Sequence, residues 1–464
     1  EKKLEVMQIR KDLILKYNKP GPRYTSYPPA NYFHTDISVE DYKNGLSMSN
    51  NEDPQNISLY VHIPFCPRLC HFCGCNTSGS QNVEVIRNYV DAVKTEINNV
   101  AEILDHNRKV SQIHWGGGTP NSIPMELVKE IMDLLKDRFN IDTNAEIAME
   151  CSPAYLELEH IDQLAAMGFN RLSLGIQDFN DDVLKIVNRD PSKLPVEDLV
   201  ARMKQNGFKG VNLDLIYGLP GQTIENFKDS IEKVIEINPD RLVTFSYAHV
   251  PWVKKAQTVL EKVGIPDAEE KLDLLEMAYG LLTENGYLPI GMDHFAKPED
   301  ELFKALATKK LHRNFQGYCT RETTGQVYGF GSSSIAQLDN GYYQNTKSIS
   351  GYIESINKTG WAVERGYQAN KNEKIIRTVI NEVMCNLFVD FNEVGTMFDM
   401  DASEIKKIVD YNPEKLVPFL EDNLMEINGE QIKINTDGSF IVRNIAMAFD
   451  PQLAVSENQY SKTI

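Results

Sequence analysis

A strand-like run, a turn and a helical stretch follow one another repeatedly, and this alternation most constrains the fold. The strand-like runs are 57–63, 110–115, 145–150, 170–177, 211–216 and 242–248. Sustained alternation of this kind predicts an α/β protein in which parallel strands are joined by helices. We therefore expect a six-unit βα array to form the body of the molecule.

The six runs share a polar face. Neighbouring residues of a strand point to opposite sides, so each run can be divided into two faces. One face carries Ser58, Tyr60 and His62; Gln112 and His114; Glu146, Ala148 and Glu150; Arg171, Ser173, Gly175 and Gln177; Asn212 and Asp214; Thr244, Ser246 and Ala248. A sheet covered on both sides, or a closed eight-stranded barrel, would be apolar there. The pattern favours a partial, TIM-like (β/α)6 barrel with a ligand-filled interior, and the alternative is a doubly wound sheet with polar strand ends.

The array is flanked by two different segments. An N-terminal arm contains the sequence PGPRYTSYPP at 20–29, which is extended because proline disfavours helix. Helix-period stretches at 374–388 and 402–409 follow the array, and a strand-turn-strand signal at 431–441 centres on Asp437 and Gly438. We predict an arm at 1–50, a barrel with its extension at 51–365 and a mainly helical domain at 366–464.

Charge and hydropathy limit the function classes. The chain has 48 Lys and Arg against 66 Asp and Glu, a formal charge of −18, which argues against a nucleic-acid surface. No run approaches the roughly 18 apolar residues that span a bilayer. The first residues are of mixed charge and lack the apolar core of a signal peptide. The expectation is a soluble, cytoplasmic protein without a membrane span.

Four of the seven cysteines lie between positions 66 and 75. Cys66, Cys70 and Cys73 have the spacing C-x3-C-x2-C and follow the first strand-like run. A structural zinc site usually takes ligands from two separated pairs, and the chain has no second pair at matching spacing. Three thiolates in one loop suit a cubane iron-sulfur cluster that has one iron without a protein ligand. Disordered or disulfide-bonded cysteines are the alternative.

This motif at the end of the first strand of a polar-faced βα array resembles that of the radical S-adenosylmethionine enzymes. The resemblance implies that Cys66, Cys70 and Cys73 hold a [4Fe-4S] cluster. It also implies that S-adenosylmethionine binds the open iron through its amino and carboxylate groups. One-electron reduction would then release a 5'-deoxyadenosyl radical, so the cofactor, rather than a side chain, would supply the reactive species.

Seven segments narrow the resemblance to the oxygen-independent coproporphyrinogen III oxidases. They are PRYTSYP at 22–28, YVHIPFCPRLCHFCGCN at 60–76, HWGGGTP at 114–120, FNRLSLGIQDFN at 169–180, DLIYGLPG at 214–221, LHRNFQGY at 311–318 and RNIAMAFD at 443–450. The family's activity is the oxidative decarboxylation of the ring A and B propionates of coproporphyrinogen III to the vinyls of protoporphyrinogen IX, in haem biosynthesis. A small electron-transfer protein or reductase is the implied electron donor, and a monomer the implied state.

Two other functions stay open. A radical enzyme that methylates or ring-opens haem would share the cluster motif. A haem chaperone without turnover would resemble the core, although such chaperones typically have Phe at the position of Cys75 and lack the two terminal signatures.

The resemblance also assigns site residues. Those matching contacts of S-adenosylmethionine are Gly117, Gly118, Thr119, Glu150, Gln177, Arg189, Asp214 and Ala248. The strand faces independently place Gln177, Asp214 and Ala248 at strand ends on the polar side. Tyr60 and Glu150 are the expected catalytic and cofactor-binding positions, Tyr60 because it points inward before the cysteines and can pack against the cluster or a cofactor; an ordinary core tyrosine is the alternative for Tyr60. A salt bridge to Arg171 is the alternative for Glu150, and more so for Glu146.

The family binds a second S-adenosylmethionine, and the matching positions are Phe72, Cys75, Phe315, Gln316 and Ile335. Arg23 in the arm is the expected substrate-binding residue, because arginine is the natural bidentate partner of the substrate's four carboxylates. A packing clamp at the barrel mouth is the alternative for the arm. Cys151, Cys319 and Cys385 fall outside the motif and are expected to be structural thiols.

Overall fold

The computed structural model describes residues 9–453 and residue 460. Six parallel strands in chain order form its centre: β1 Ile57–Ile63, β2 Lys109–Gly117, β3 Asn140–Cys151, β4 Arg171–Gln177, β5 Gly210–Tyr217 and β6 Arg241–Ser246. Each strand pairs with its neighbours in sequence, and the sheet stays open. The predicted α/β array of six units is therefore confirmed.

Further strands extend this sheet at both edges. They are β7 Leu288–Ile290, β8 His294–Ala296, β11 Gln326–Phe330, β12 Ile335–Leu338, β13 Gly341–Asn345 and β14 Val363–Gln368. The twelve strands lie in the order β14-β13-β12-β11-β1-β2-β3-β4-β5-β6-β8-β7. A separate ribbon consists of β9 Leu311–Asn314 and β10 Gly317–Thr320. Nothing in the polar pattern of the sequence indicated these additions.

The helices begin and end where the chain supplies caps. Thr223 caps α8, Ile224–Ile237, through a capping box, for example, and Asn238 ends this helix in the left-handed conformation. The helices up to β9 are α1 Lys11–Lys16, α2 Val39–Ser49, α3 Val83–Ala101, α4 Met125–Arg138, α5 Leu158–Met167, α6 Asp181–Ile186, α7 Val196–Gln205, α8 Ile224–Ile237, α9 Thr258–Glu261, α10 Ala268–Glu284 and α11 Glu301–Ala307. None of the helices in the described part of the chain combines the length and apolar composition that a membrane span requires.

The polar face predicted for β1 to β5 is confirmed by their register. Tyr60 lies beside His114, and Glu150 beside Ser173, so these side chains share one side of the sheet. The opposite face packs against the helices, with residues such as Leu59, Ile113 and Leu172 fully buried. Five strands thus direct polar groups to one interior surface.

The predicted faces of β6 are wrong. Asp214 pairs with Val243, which puts Arg241, Val243 and Phe245 on the interior side and turns Thr244 away from it. Thr244 is buried, and its backbone N–H donates to Asp293 O at 2.8 Å. The threonine and serine hydroxyls suggested that their face of β6 points to the polar interior. The register of β6 with β5 instead determined which side chains point there. The strand also ends at Ser246, so Ala248 lies in the following loop rather than at a strand end.

The C-terminal region is mainly helical, as predicted. Helix α12 Ile349–Thr359 precedes this region, which contains α13 Lys371–Asn381, α14 Phe391–Phe398, α15 Ala402–Ile408, α16 Pro413–Glu421, α17 Thr436–Ser439 and α18 Val442–Ala446, with β15 Phe388–Asp390, β16 Met425–Asn428 and β17 Gln431–Ile434. The hairpin turns at Gly429, whose φ is +63°, and not at Asp437 and Gly438, which lie in α17. The hydrophobic core runs continuously from the sheet into these helices, so the three-domain division stays a prediction.

The proline-rich arm packs against the other end of the chain. The hydroxyls of Tyr24 and Tyr27 both donate to Asp450, each at 2.9 Å. The backbone N–H of Tyr27 donates to the Tyr342 hydroxyl at 3.2 Å, and both tyrosines of the arm are buried. The first and last segments of the resemblance, 22–28 and 443–450, are therefore in direct contact.

Candidate active site

A cavity of about 530 Å³ lies against the interior face of the sheet. We name it the cysteine cavity, because the thiols of the cysteine loop form one wall. Its lining includes Cys66, Cys70, Phe72, Cys73, Cys75, His114, Gly117, Gly118, Thr119, Glu150, Gln177, Arg189, Asp214, Arg241, Phe245 and Gln316. The structure thus brings together most of the residues that the sequence singled out.

The three motif cysteines line this cavity, and the donor set fits an iron-sulfur cluster. No three His, Cys, Asp or Glu side chains of the described residues converge closely enough to hold a single ion. Three thiolates that share a cavity without meeting at one point suit a cluster in which each thiolate takes its own iron. Burial raises the pKa of Cys66 to about 11 and also raises that of Cys70, so a bound cation would have to displace their protons.

The cysteine loop is fixed from two sides by residues that the sequence analysis missed. On one side, His71 N–H donates to Val187 O at 2.9 Å, and the Asn188 amide donates to Leu69 O at 2.9 Å. On the other, the fully buried Gln257 donates to Phe72 O at 2.9 Å, and Lys254 donates to Cys75 O at 2.6 Å. These contacts join segments distant in sequence, and no local pattern indicates them.

Glycines allow the end of β2 to approach the cysteine loop. Gly118 N–H donates to Ile63 O at 2.8 Å, and Thr119 N–H donates to Phe65 O at 2.9 Å. Gly117 has a φ of +115°, which a side chain would strain. A Cβ on Gly118 would lie 2.8 Å from Phe65 O and 2.9 Å from Cys66 Sγ. The close packing requires glycine there.

We expect Gly118→Ala to displace the cysteine loop. The added methyl meets backbone as well as sulfur, so relaxation must move the loop, at a cost of about 1–3 kcal/mol in the free energy of unfolding. Iron content after anaerobic reconstitution should fall severalfold. The control is Gly79→Ala in the same region, whose Cβ would meet Leu69 Cδ1 at an ordinary 3.6 Å. Equal iron content in the two variants would contradict this account.

Glu150 ends β3 beside His114 and Tyr60. His114 Nε2 lies 2.9 Å from Glu150 Oε1, and the rings of Tyr60 and His114 stack at 6.0 Å. Burial opposes the charge of His114, but the hydrogen bond to Glu150 outweighs it and raises the His114 pKa. Tyr60 is not among the lining residues of the cysteine cavity, and its hydroxyl lies 3.0 Å from His62 Nδ1.

The alternative of a salt bridge to Arg171 is wrong for Glu150 and correct for Glu146. Arg171 Nε lies 2.8 Å from Glu146 Oε2, and Gln112 donates to the same carboxylate at 3.0 Å. The carboxylate of Glu146 is therefore already paired with side chains of the neighbouring strands. Glu150 keeps its carboxylate partly exposed, with 43% of the side-chain surface accessible. It is the acidic group of β3 that remains available to a ligand.

Three further predicted residues meet at the carboxyl ends of β4 and β5. Arg189 donates to Gly175 O and approaches Cys70 Sγ at 3.5 Å. Gln177 has a φ of +71°, and its buried Oε1 has no hydrogen-bond partner in the structure. Burial raises the pKa of Asp214 to about 6, although Ser173 donates to it at 2.7 Å. A buried amide oxygen without a partner and a desolvated acid are groups that a polar cofactor would satisfy.

A second cavity, of about 610 Å³, adjoins the first and is named the arm cavity. Arg23 and Ala248 line it, and Phe72, Cys73, Cys75 and Phe245 line both cavities. Of the residues predicted for a second cofactor, Phe72 and Cys75 are shared and Gln316 lines the cysteine cavity only. Phe315 and Ile335 are absent from both linings, and the Phe315 ring packs edge-on to Tyr342 at 6.3 Å.

Comparisons with known proteins agree with this geometry. The Radical SAM superfamily model matches residues 60–234. Oxygen-independent coproporphyrinogen III oxidase of Escherichia coli is 39% identical over 99% of this chain and 100% of that protein. The protein of that name from Synechocystis is 38% identical over 98% of this chain and 97% of its own length.

A solved structure is similar over the same extent. The structure of coproporphyrinogen III oxidase from Escherichia coli, described as a radical SAM enzyme, superposes with a TM-score of 0.89. It is 38% identical, and the alignment covers 96% of this chain and all of that one. The similarity therefore includes the arm and the C-terminal helices as well as the sheet.

Proposed function

The chain belongs to the oxygen-independent coproporphyrinogen III oxidases of the radical SAM superfamily, and we infer from this that it decarboxylates coproporphyrinogen III. Two propionates, those of rings A and B, become the vinyl groups of protoporphyrinogen IX in haem biosynthesis. The observation that carries the inference is the cysteine cavity, where three motif cysteines face polar strand ends in a chain similar to these enzymes over its full length.

We propose that Cys66, Cys70 and Cys73 hold the [4Fe-4S] cluster that membership of the family implies. When bound, the cluster and S-adenosylmethionine would supply a 5'-deoxyadenosyl radical for removal of a hydrogen atom from the propionate β-carbon, and the vinyl would form as the substrate loses carbon dioxide and gives one electron to an acceptor. The chain itself supplies positioning in an enclosed cavity. Arg189, which donates towards Cys70 Sγ, is suited to stabilise negative charge beside the thiolates.

The first S-adenosylmethionine is proposed to bind along the strand ends. Glu150 is suited to accept hydrogen bonds from its amino group, while His114 holds that carboxylate in place at 2.9 Å. Gln177 and Asp214 face the same space, and Gly117, Gly118 and Thr119 let the ligand approach the backbone. Tyr60 stacks on His114 and so helps to fix the position of that ring. Ala248 lines the adjoining arm cavity.

A second S-adenosylmethionine is proposed where the two cavities adjoin. Phe72 and Cys75 line both cavities and Gln316 lies in the first, which supports a ligand between them. Phe315 and Ile335 rest on the family resemblance alone. Arg23 is proposed to bind a substrate carboxylate from the arm, because its exposed side chain lines the arm cavity.

A small electron-transfer protein or reductase as electron donor, and a monomeric state, follow from the family resemblance. A cytoplasmic location is proposed because the four cysteines outside the proposed cluster, Cys75, Cys151, Cys319 and Cys385, form no disulfide, as expected in a reducing compartment.

The test is an anaerobic assay. The full chain, reconstituted with iron and sulfide, is incubated with coproporphyrinogen III, S-adenosylmethionine and a low-potential reductant. We expect a tricarboxylic intermediate and then protoporphyrinogen IX, together with 5'-deoxyadenosine, and none of these from Cys70→Ala. Formation of 5'-deoxyadenosine with haem but no decarboxylation would point to a haem-modifying enzyme. Stoichiometric haem retention without 5'-deoxyadenosine would point to a chaperone, and either result overturns the proposal.

A further inference from the structure

A histidine and an aspartate that the sequence analysis missed form a hydrogen-bonded pair beside the cysteine cavity. His294 is the first residue of β8, and its Nδ1 lies 2.6 Å from Asp293 Oδ1. The two side chains are only 13% and 17% exposed. A carboxylate on Nδ1 fixes the orientation of the imidazole and leaves Nε2 as the nitrogen that can bind a ligand.

The surrounding residues hold the imidazole of His294 in place and keep one side of it open. The ring of Tyr318 meets it edge-on at 5.1 Å between centroids, and that of Phe245 at 6.4 Å. Gly317 lies beside Nε2, where a Cβ atom would be 3.7 Å away. Gly317 has a φ of +123°, so glycine is favoured there and the space next to Nε2 stays open. His294 and Gly317 both line the cysteine cavity, so the imidazole is held at the wall of that cavity.

The Nε2 atom of His294 is unoccupied in a cavity whose other basic side chains already have partners. Those side chains are Arg68, His114, Arg171, Arg189, Arg241 and Lys254. Each directs a nitrogen to a carboxylate or a backbone carbonyl at 3.1 Å or less. Within residues 9–453, the Nε2 atom of His294 has no hydrogen-bond partner. This nitrogen is therefore available to an anionic ligand.

Strand register places His294 across the cavity from the cysteine loop. β8 pairs with β6 and β6 with β5, which aligns His294 with Asp214 on the interior side. Gly175 of β4 continues this row, and its carbonyl accepts from Arg189, which approaches Cys70 Sγ at 3.5 Å. At about 4.8 Å per strand, His294 lies about 14 Å along the sheet from Gly175. The cysteines and His294 therefore stand on opposite sides of the space that a cofactor and a substrate would share.

We infer that His294 binds the carboxylate of the propionate that reacts. This inference rests on the proposed function. Between Asp293 and a bound carboxylate the imidazole holds a proton on each nitrogen, so Nε2–H donates a charge-assisted hydrogen bond to the propionate. The β-carbon is two bonds from the carboxyl carbon, so fixing the carboxylate also fixes the hydrogen atom to be removed. Arg23 lines the arm cavity and not the cysteine cavity, so the two residues would hold different carboxylates of one substrate.

The test measures how many molecules of 5'-deoxyadenosine form for each vinyl group. The full chain, reconstituted with iron and sulfide, is incubated anaerobically with coproporphyrinogen III, S-adenosylmethionine and a low-potential reductant. Each vinyl requires the removal of one hydrogen atom, so the unaltered chain should form one 5'-deoxyadenosine per vinyl. His294→Leu removes the hydrogen bond and should lower vinyl formation about 10–100-fold, the value of one charge-assisted hydrogen bond. Cleavage of S-adenosylmethionine should fall less, so the ratio should rise severalfold.

Two further variants make the comparison specific. His294→Gln keeps an amide N–H donor and should raise the ratio less than His294→Leu, and it gives the same comparison should His294→Leu fail to fold. The matched control is His249→Leu. His249 also pairs with a carboxylate, its Nε2 lying 2.8 Å from Glu261 Oε1, but it lines neither cavity. We expect the ratio of this control to equal that of the unaltered chain.

The outcomes separate this inference from the proposed function. If the unaltered chain forms protoporphyrinogen IX but both His294 variants have the ratio of the control, this inference alone is overturned. If the unaltered chain forms none, the proposed function fails. Equal loss of both products in His294→Leu would show a structural role and would overturn the inference. Weaker binding of S-adenosylmethionine by His294→Leu than by the control, measured by equilibrium dialysis, would show that Nε2 holds the cofactor carboxylate instead, which also overturns it.

Discussion

Cys70→Ala is expected to leave the protein folded but unable to hold its iron-sulfur cluster. Cys70 lines the cysteine cavity on a loop held by Val187 and Asn188, so loss of the sulfur removes a proposed ligand without removing those contacts. Changes to groups that only support a metal ligand already cost about 10–100-fold in metal affinity or activity. Loss of the ligand should reduce 5'-deoxyadenosine formation by at least about 100-fold, and iron content to background.

The matched control is Cys385→Ala, far from the cysteine loop in sequence. Cys385 is fully buried after α13, and its thiol lies 3.1 Å from Asn381 Oδ1. This variant should retain iron, sulfide and visible absorbance after reconstitution. Iron retention by Cys70→Ala equal to that of Cys385→Ala would mean that Cys70 is not a ligand. Circular dichroism on both variants separates cluster loss from unfolding.

Arg241→Met is expected to lower the free energy of unfolding by about 3–5 kcal/mol, the cost of leaving a buried charge unpaired. Arg241 Nε lies 2.8 Å from Asp300, whose side chain is only 6% exposed, and Nη2 lies 2.7 Å from Glu301. Burial opposes the guanidinium charge, but Asp300 and Glu146 raise the Arg241 pKa. Methionine preserves much of the volume and leaves Asp300 without its cation. Urea unfolding at neutral pH measures the change.

The control for this prediction is Arg202→Met. Arg202 pairs with Asp162 in an equally close ion pair, but the two side chains are 39% and 37% exposed. Solvent screens such a pair, so the expected change is about 0–1 kcal/mol. Similar urea midpoints for the two variants would contradict the view that burial sets the value of the Arg241 pair.

The polar interior face of the sheet was predicted from the alternation of polar and apolar residues along each strand. It gave the correct orientation for β1 to β5, where charged residues such as Glu146, Arg171 and Asp214 alternate with apolar ones, because burying an unpaired charge against the helices would be costly. It failed for β6, where Thr244 is buried with its hydroxyl unpaired and Phe245 turns inward. A hydroxyl side chain indicates a solvent-facing strand position only weakly. The free energy cost of burying a hydroxyl is small compared with the cost of shifting the register of the strand.

The cysteine loop shows a different limit. The spacing of Cys66, Cys70 and Cys73 was enough to predict a three-thiolate site, because the geometry of a cluster is encoded in a short segment. The residues that hold the loop, such as Gln257 and Lys254, lie some 180 positions later, as their contacts with Phe72 and Cys75 show. Contacts across such separations leave no periodic trace, and neither does the choice of Arg171 between Glu146 and Glu150.

The sequence by itself determined the six βα units, the polar interior and the cysteine motif, because each depends on a local pattern of period or spacing. Tertiary structure alone decided the faces of β6, the hairpin turn at Gly429, and the open sheet extended at both edges. The physical reason is that strand register, ion pairing and the burial of charge are properties of groups that the fold brings together, so they leave no local pattern in the sequence.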